Sequence, residues 1–405
     1  MKMQSFTTII SLNKTKPTNK TKKDCACSPF LYIDTLENKL YTDSMEKILK
    51  GYKVKVDKQG LVSGIEFDGS DNIVLVGFCD IHTHGAMGFD ISCCTQTALD
   101  TISKYYLENG VTAFSPTFVA TPLDILDKQL DTLFSLKQNY AVMLPAHLEG
   151  PFISKAQKGA QPESAILDEY NESEHKWFFE KHREHIGIVT LCPSVKGVDK
   201  LTKLLVSLGI KVQAGHDNSN YNHIQNAMAC GLDGVTHLGC ASSMMKRDDN
   251  LEKHLGLTET ALYDDNLAVE LIVDGKHLAK DFVNMVHKFK PENKIIYVSD
   301  SLSTAGMPAG EYTLGDTPVV SDGNVAYLSN MTTLAGSVTN LSKSLALSIE
   351  WGNTIDTALN CVSTNPRQYM GLPTQIQIGK KADFVVLDKH LNLKQITLGT
   401  TTITK

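Results

Sequence analysis

The chain has 405 residues, 42% of them hydrophobic and 21% charged, with 39 basic and 45 acidic side chains and a formal net charge of -6. That is the composition of an ordinary globular protein, long enough for one large domain and a smaller one. There is no basic arm or dense Lys/Arg patch to suggest nucleic acid as a partner, and no apolar run of membrane-spanning length.

In chain order, residues 1–27 read as an N-terminal extension, weakly ordered and rich in Thr, Lys and Asn. The first 24 residues lack the apolar stretch of a secretory signal, so a cytoplasmic address is expected. Nine cysteines, an odd number in a long chain, favour a reducing compartment over a disulfide scaffold. Residues 28–75 contain short alternating runs such as YKVKVDK at 52–58, which predict the first part of a small β domain. From residue 73 the texture changes to apolar runs at 73–78, 111–114, 141–146, 186–191, 211–214, 234–237, 268–273 and 294–298. Helix-like stretches at 95–109, 122–138, 199–208, 220–230 and 279–289 separate them. Eight such runs predict a (β/α)8 TIM-like barrel over 76–368 in preference to an open sheet. A Gly-rich excursion at 305–336 reads as turns and a loop over the site, without the spacing of a nucleotide-binding motif. Helices are expected at 338–346 and 354–362. Residues 369–405, with strands at 379–387 and 394–398, are expected to join 28–75 in a small β-sandwich domain built from both chain ends.

Metal-binding residue types fall where barrel strands should end, the face on which such barrels build active sites. Asp80-Ile81-His82-Thr83-His84 follows the first run. Residues two apart in extended chain share a face, so His82 and His84 point together, and two imidazoles suit a divalent ion such as zinc or iron. Alone, a His-x-His is as readily a turn with two surface histidines. In His147-Leu148-Glu149-Gly150, a carboxylate at the end of a buried strand needs a partner, either a metal or a salt bridge. His147 shares the parity of Glu149; Glu149 is taken as ligand and His147 as support. His216 and His237 close two further strands. Each alone would pass for a satisfied semi-buried histidine, but five such placements together point to metal. Asp300 ends the last strand, where a carboxylate can take a proton from water and return it to a leaving nitrogen, or serve as another ligand, two roles that do not exclude each other. His277 follows another strand as a candidate substrate contact, whereas His175, His182 and His185 read as surface residues.

These segments, taken in order, resemble the amidohydrolase superfamily and more narrowly its N-acetylglucosamine-6-phosphate deacetylases. The resemblance rests on GFCDIHTHG (77–85), HLEGPFIS (147–154) with Lys158-Gly159-Ala160, Gly215-His216 and Thr236-His237-Leu238. Asp274-Gly275-Lys276-His277, Ser299-Asp300, Thr333-Leu334-Ala335-Gly336-Ser337 and Gly379-Lys380-Lys381-Ala382-Asp383 extend it. It implies that Glu149, His216 and His237 hold the main divalent ion and that His82 and His84 mark a form able to hold a second. It implies Asp300 as general base and then acid, and hydrolysis of the N-acetyl group of an amino sugar phosphate. His277 and a basic residue near Lys246-Arg247 would meet the phosphate, the arginine reaching across from the partner of a homodimer.

Two departures fall on the substrate side. Gln161 stands where the family carries a histidine that helps polarise the substrate carbonyl, and a glutamine can donate a hydrogen bond but cannot act as an acid. Cys240-Ala241 replaces the usual Asn-Ala pair, and the stretch 242–254 is longer than the usual loop, which loosens the assignment of Arg247. A shifted substrate, slower turnover or an altered binding pose is therefore expected in place of a lost metal site. The alternatives are another amidohydrolase, acting on a different acylated amino sugar or amide, and a non-catalytic sugar-phosphate binder.

Overall fold

The computed structural model describes residues 46–247, 250–314 and 317–405. The expected extension at 1–27 and the start of the small β domain at 28–45 lie outside the described residues.

Eight parallel strands form the barrel: Phe78–Thr83, Val111–Phe118, Ala146–Glu149, Ile186–Leu191, Lys211–Ala214, Gly234–Val235, Ala268–Ile272 and Ile295–Val298. Each pairs with its sequence neighbour in the barrel. The amide of Asp300 donates to the His82 carbonyl at 2.9 Å and draws the last strand to the first. Parallel strands wrapped by helices are buried on both faces, which is why they read as continuous apolar runs. Helices such as Gln96–Glu108, Tyr221–Ala229 and Leu341–Glu350 start where the side chains of Thr95, Asn220 and Asn340 accept a backbone N–H.

Both chain ends build the small β domain. An antiparallel sheet orders Ile48–Lys50, Ile73–Leu75, Asp383–Leu387, Leu393–Leu398 and Thr401–Thr404, beside a hairpin of Tyr52–Val56 and Val62–Phe67. Leu49, Val54, Val62, Val74, Ala382 and Phe384 fill the space between them. The Arg367 guanidinium ties this sheet to the barrel, donating to Gly77 O, Thr112 Oγ1 and Asp383 Oδ2 at 2.7–2.8 Å.

Two strands begin later than the apolar runs suggest. The run at 73–78 divides: Ile73–Leu75 belongs to the small sheet, and the first barrel strand is Phe78–Thr83, already carrying Asp80 and His82. The break sits at Gly77, where an added Cβ would lie 2.0 Å from Thr112 Oγ1, so only glycine lets the two segments part there. Likewise Val142–Met143 makes a short pairing with the second strand, and the third barrel strand is Ala146–Glu149. Both strands hold polar residues turned to the barrel mouth, and those residues break the apolar pattern before the strand ends. The excursion at 305–336 is more regular than a loop. Gly310–Leu314, Thr317–Ser321 and Ala326–Leu328 form an antiparallel sheet over Leu302, Leu314, Val319 and Ala335. Among the described residues no helix is long and apolar enough to cross a membrane.

Candidate metal centre

Glu149 ends the third strand with its carboxylate buried in the barrel mouth. Its Oε1 lies 2.8 Å from His216 Nε2 and 2.8 Å from His237 Nε2, and the two Nε2 atoms are 3.2 Å apart. On the other side, His84 Nε2 is 3.5 Å from Glu149 Oε2 and 3.1 Å from Asp300 Oδ1, while His82 Nε2 is 3.5 Å from Asp300 Oδ1. Two buried groups of ligand type thus share one centre: Glu149 with His216 and His237, and His82 with His84 and Asp300.

The backbone is bent to bring them together. His216, His237 and Asp300 all adopt positive φ, at 44°, 30° and 47°. That region disfavours any residue with a Cβ by about 1–3 kcal/mol, so the surrounding packing must hold each in place. Each of the three lies two residues past the end of its strand, where the chain turns away and leaves the side chain at the barrel mouth.

The donor set fits a divalent ion. Each of the four imidazoles turns Nδ1 to an oxygen that can only accept: His82 to Glu270 Oε2 at 3.0 Å, His84 to Thr117 O at 3.1 Å, His216 to Gln157 O at 2.8 Å, and His237 to Cys240 O at 3.1 Å. With an ion bound, each ring would keep its proton on Nδ1 and turn the Nε2 lone pair to the metal, the arrangement that orients histidine ligands. Before an ion binds, burial disfavours charge on the rings, yet Glu149 and Asp300 raise the pKa of His82 and Glu149 raises that of His216, so these rings also hold a proton that a metal would displace. His82 Nε2 is fully buried and has no hydrogen-bond partner, a costly state for a polar atom unless an ion meets it. Burial opposes charge on Glu149, but His216, His82 and His237 outweigh it and hold the carboxyl well below the usual range. Asp300 follows the same pattern: burial raises its pKa, and His82 and His84 bring it below the ordinary value. Both carboxylates are ionised and ready to bind a cation.

His147 has both nitrogens engaged, by Ile81 O at 3.0 Å and Thr190 Oγ1 at 2.7 Å, and burial helped by His82 holds its pKa down to about 4. It braces the first and fourth strands. Gln161 donates to Glu149 Oε2 at 2.6 Å and accepts from the Ala120 amide at 2.7 Å, so its amide is turned onto the carboxylate. His277 Nδ1 lies 2.8 Å from Asp274 Oδ2. Burial depresses its pKa, yet the Asp274 contact prevails and raises it. Cys240 offers its carbonyl to His237, and burial pushes its thiol up to about 12. Ala241, at φ 47°, accepts from the Asp217 amide at 2.8 Å. Arg247 stands apart, exposed on a hairpin of Lys246–Arg247 and Lys253–His254 and donating to Leu251 O at 2.5 Å.

Two features escape the sequence reading. Glu270, on the seventh strand, is buried against His82 and fixes its tautomer. Its signal is a single carboxylate inside the apolar run AVELI. His182, read as a surface residue, is fully buried with Nε2 2.8 Å from Asp127 Oδ1. It sits 3.2 Å from His185 on the outer face of the barrel, where Lys181 already bridges Asp127 and Asp131. A helix pattern rich in charge conceals one buried position, because the neighbouring carboxylate satisfies the ring.

Residues 73–404 match the amidohydrolase family. The N-acetylglucosamine-6-phosphate deacetylase of Lysinibacillus sphaericus is 30% identical over 336 residues, 82% of this chain and 85% of its own length. That of Danio rerio is 29% identical over 395 residues, 94% of this chain and 97% of its own. The solved N-acetylglucosamine-6-phosphate deacetylase of Thermotoga maritima superposes with a TM-score of 0.78 at 26% identity, covering 88% of this chain and 100% of that one.

Proposed function

We propose, from the premise that this chain belongs to the amidohydrolase family and within it to the N-acetylglucosamine-6-phosphate deacetylases, that it hydrolyses N-acetylglucosamine 6-phosphate to glucosamine 6-phosphate and acetate. The observation that carries the reading is the convergence of four Nε2 atoms, each ring oriented by an acceptor at Nδ1, around two ionised carboxylates. Glu149, His216 and His237 would hold the main divalent ion, zinc or iron. His82 and His84 would hold a second on the side of Glu149 that faces Asp300. A divalent ion so bound supplies polarisation of the amide carbonyl and a lower pKa for water.

The chain supplies the proton traffic. Asp300, ionised at rest, accepts a proton from the attacking water as its oxygen bonds to the amide carbon. The same carboxyl then returns that proton to the nitrogen as the C–N bond breaks. The His82 and His84 contacts hold Asp300 in reach. His277, oriented by Asp274, binds the phosphate, and Gln161, Cys240 and Ala241 border the sugar. Arg247, held out on its hairpin, is the cation offered to the phosphate in a partner copy, which makes the enzyme a homodimer. We assign the chemistry to a barrel at 76–368, with a small domain from 28–75 and 369–405, an extension at 1–27, and a cytoplasmic location.

The test is release of acetate from N-acetylglucosamine 6-phosphate by purified protein, before and after chelation and after restoring zinc or iron. Metal-dependent release supports the reading. Absence of release from metal-loaded protein, with release from another acylated amine, would move the activity elsewhere in the amidohydrolases.

A further inference from the structure

A cavity of about 280 Å3 opens beside the metal centre, and the proposed reaction leaves it without a role. It begins at His84 and runs between the segments that follow the first, second and third barrel strands. Phe118, Val119, Ala120, Pro122, Pro162 and Ala165 form its apolar wall. Its ionisable lining is limited to His84 and Asp90, so it holds no lysine or arginine for a phosphate. Several of its polar side chains are turned to the protein, while Gln129 Oε1 is buried without a partner and Ser164 is exposed at its edge, so the cavity has one apolar wall and one polar wall. Asp90 accepts from the Ser92 amide and hydroxyl, Thr121 donates to Val119 O, and Gln129 donates to Ser92 O.

The strand order fixes which end of the substrate meets it. His277, assigned to the phosphate, follows the seventh strand, and the seventh strand lies opposite the third across the barrel. A secondary amide is planar and trans, so the sugar and the acyl carbon chain leave the C–N bond on opposite sides. With the carbonyl at Glu149 and Asp300 and the phosphate toward His277, the acyl group points to the Ala120–Ala165 side. Gln161 does not stand in its way, because its amide is folded onto Glu149 and the Ala120 N–H. An acetyl methyl fills only a small part of that space.

We infer that this cavity is an acyl-chain pocket and that the enzyme accepts N-acyl glucosamine 6-phosphates with chains of several carbons. The inference rests on the proposed deacetylase reading and extends its substrate class. The reaction balances as for acetate: water adds to the carbonyl carbon, the C–N bond breaks, and a longer carboxylate leaves. Each methylene laid against the apolar wall of Phe118, Val119, Ala120 and Ala165 contributes up to about 0.8 kcal/mol, or close to fourfold in affinity.

The experiment uses N-acetyl-, N-butanoyl- and N-hexanoylglucosamine 6-phosphate. Their dissociation constants are measured by calorimetry on metal-loaded Asp300→Asn protein, and kcat/KM for each on the wild type. Affinity should rise about fourfold per methylene over the first steps, and the hexanoyl-to-acetyl ratio of kcat/KM should exceed one. Ala165→Phe, which fills the cavity, should reduce that ratio at least tenfold. A ratio within one preparation does not depend on how much of the variant folds. Affinities that stay flat or fall with chain length, while the acetyl compound is bound and hydrolysed, overturn the pocket and leave the deacetylase reading standing. Failure to bind or hydrolyse any of the three overturns the deacetylase reading, and the pocket with it.

Discussion

The ends of the barrel strands and the segment after the sixth strand contrast in how their side chains are held. Glu149, His82, His84, His216, His237 and Asp300 are all buried, and each is fixed by a second contact, in several cases from another strand or loop of the barrel. Beyond His237 the chain passes through half-buried Cys240 and Ala241 to Met244, Met245, Lys246 and Arg247, all exposed. The first region is a rigid constellation on which strain can be stored at three positive φ angles. The second is a hairpin whose arginine bonds its own turn. Catalytic geometry demands the first kind of support, whereas binding a substrate's far end tolerates the second. The two departures from the family pattern, Gln161 and Cys240, likewise flank the centre without supplying its converging Nε2 and carboxylate groups.

Substitutions in the two regions should differ in size and in kind. Glu149→Gln removes the charge that both histidine groups face. It should abolish measurable turnover and lower bound metal per chain well below that of the wild type, as read by atomic spectroscopy; a variant with full metal and normal rate would break the contrast. Glu270→Leu leaves His82 without its orienting acceptor, and metal affinity should fall about 10–100-fold in chelator competition. An unchanged affinity would mean that the backbone alone fixes His82.

On the looser side, Arg247→Ala should raise KM for the phosphorylated sugar about tenfold with little change in kcat, the loss expected of one charge-assisted contact. An equal fall in kcat would place Arg247 with the rigid set instead. Smallest is Asp274→Asn, which should lower the pKa of His277 from its raised position, followed by NMR titration of the ring. The sign is set by both partners. His277, raised, stabilises the fold below its unfolded pKa and loses that contribution as pH climbs through the folded value. Asp274, whose burial is outweighed by His277, is lowered; it stabilises above its unfolded pKa and loses that as pH falls through the folded value. The pair therefore contributes most between the ordinary carboxylate and imidazole ranges, and Asp274→Asn should flatten stability there.

The barrel was legible because eight buried parallel strands leave eight apolar runs, and the candidate ligands because they interrupt those runs at strand ends. What stayed hidden has a physical cause in each case. Gly77 separates two strands inside one apolar run, and sequence shows the residues but not the approach of Thr112 that needs a glycine there. Glu270 lies within a strand where a lone carboxylate looks like an irregularity until His82, 188 residues away, is brought beside it. The sheet at 310–328 was masked by turn residues that also suit loops. The direction of the Gln161 amide is a rotamer choice that composition cannot carry.

The most direct test of the account is the Asp300→Asn variant loaded with metal and assayed for acetate release beside wild-type protein of equal metal content. Metal should be retained, held by Glu149, His216 and His237, with turnover reduced about 10²–10⁴-fold. Turnover equal to the wild type at equal metal content would contradict it, because the proton would then travel by a route that does not include Asp300.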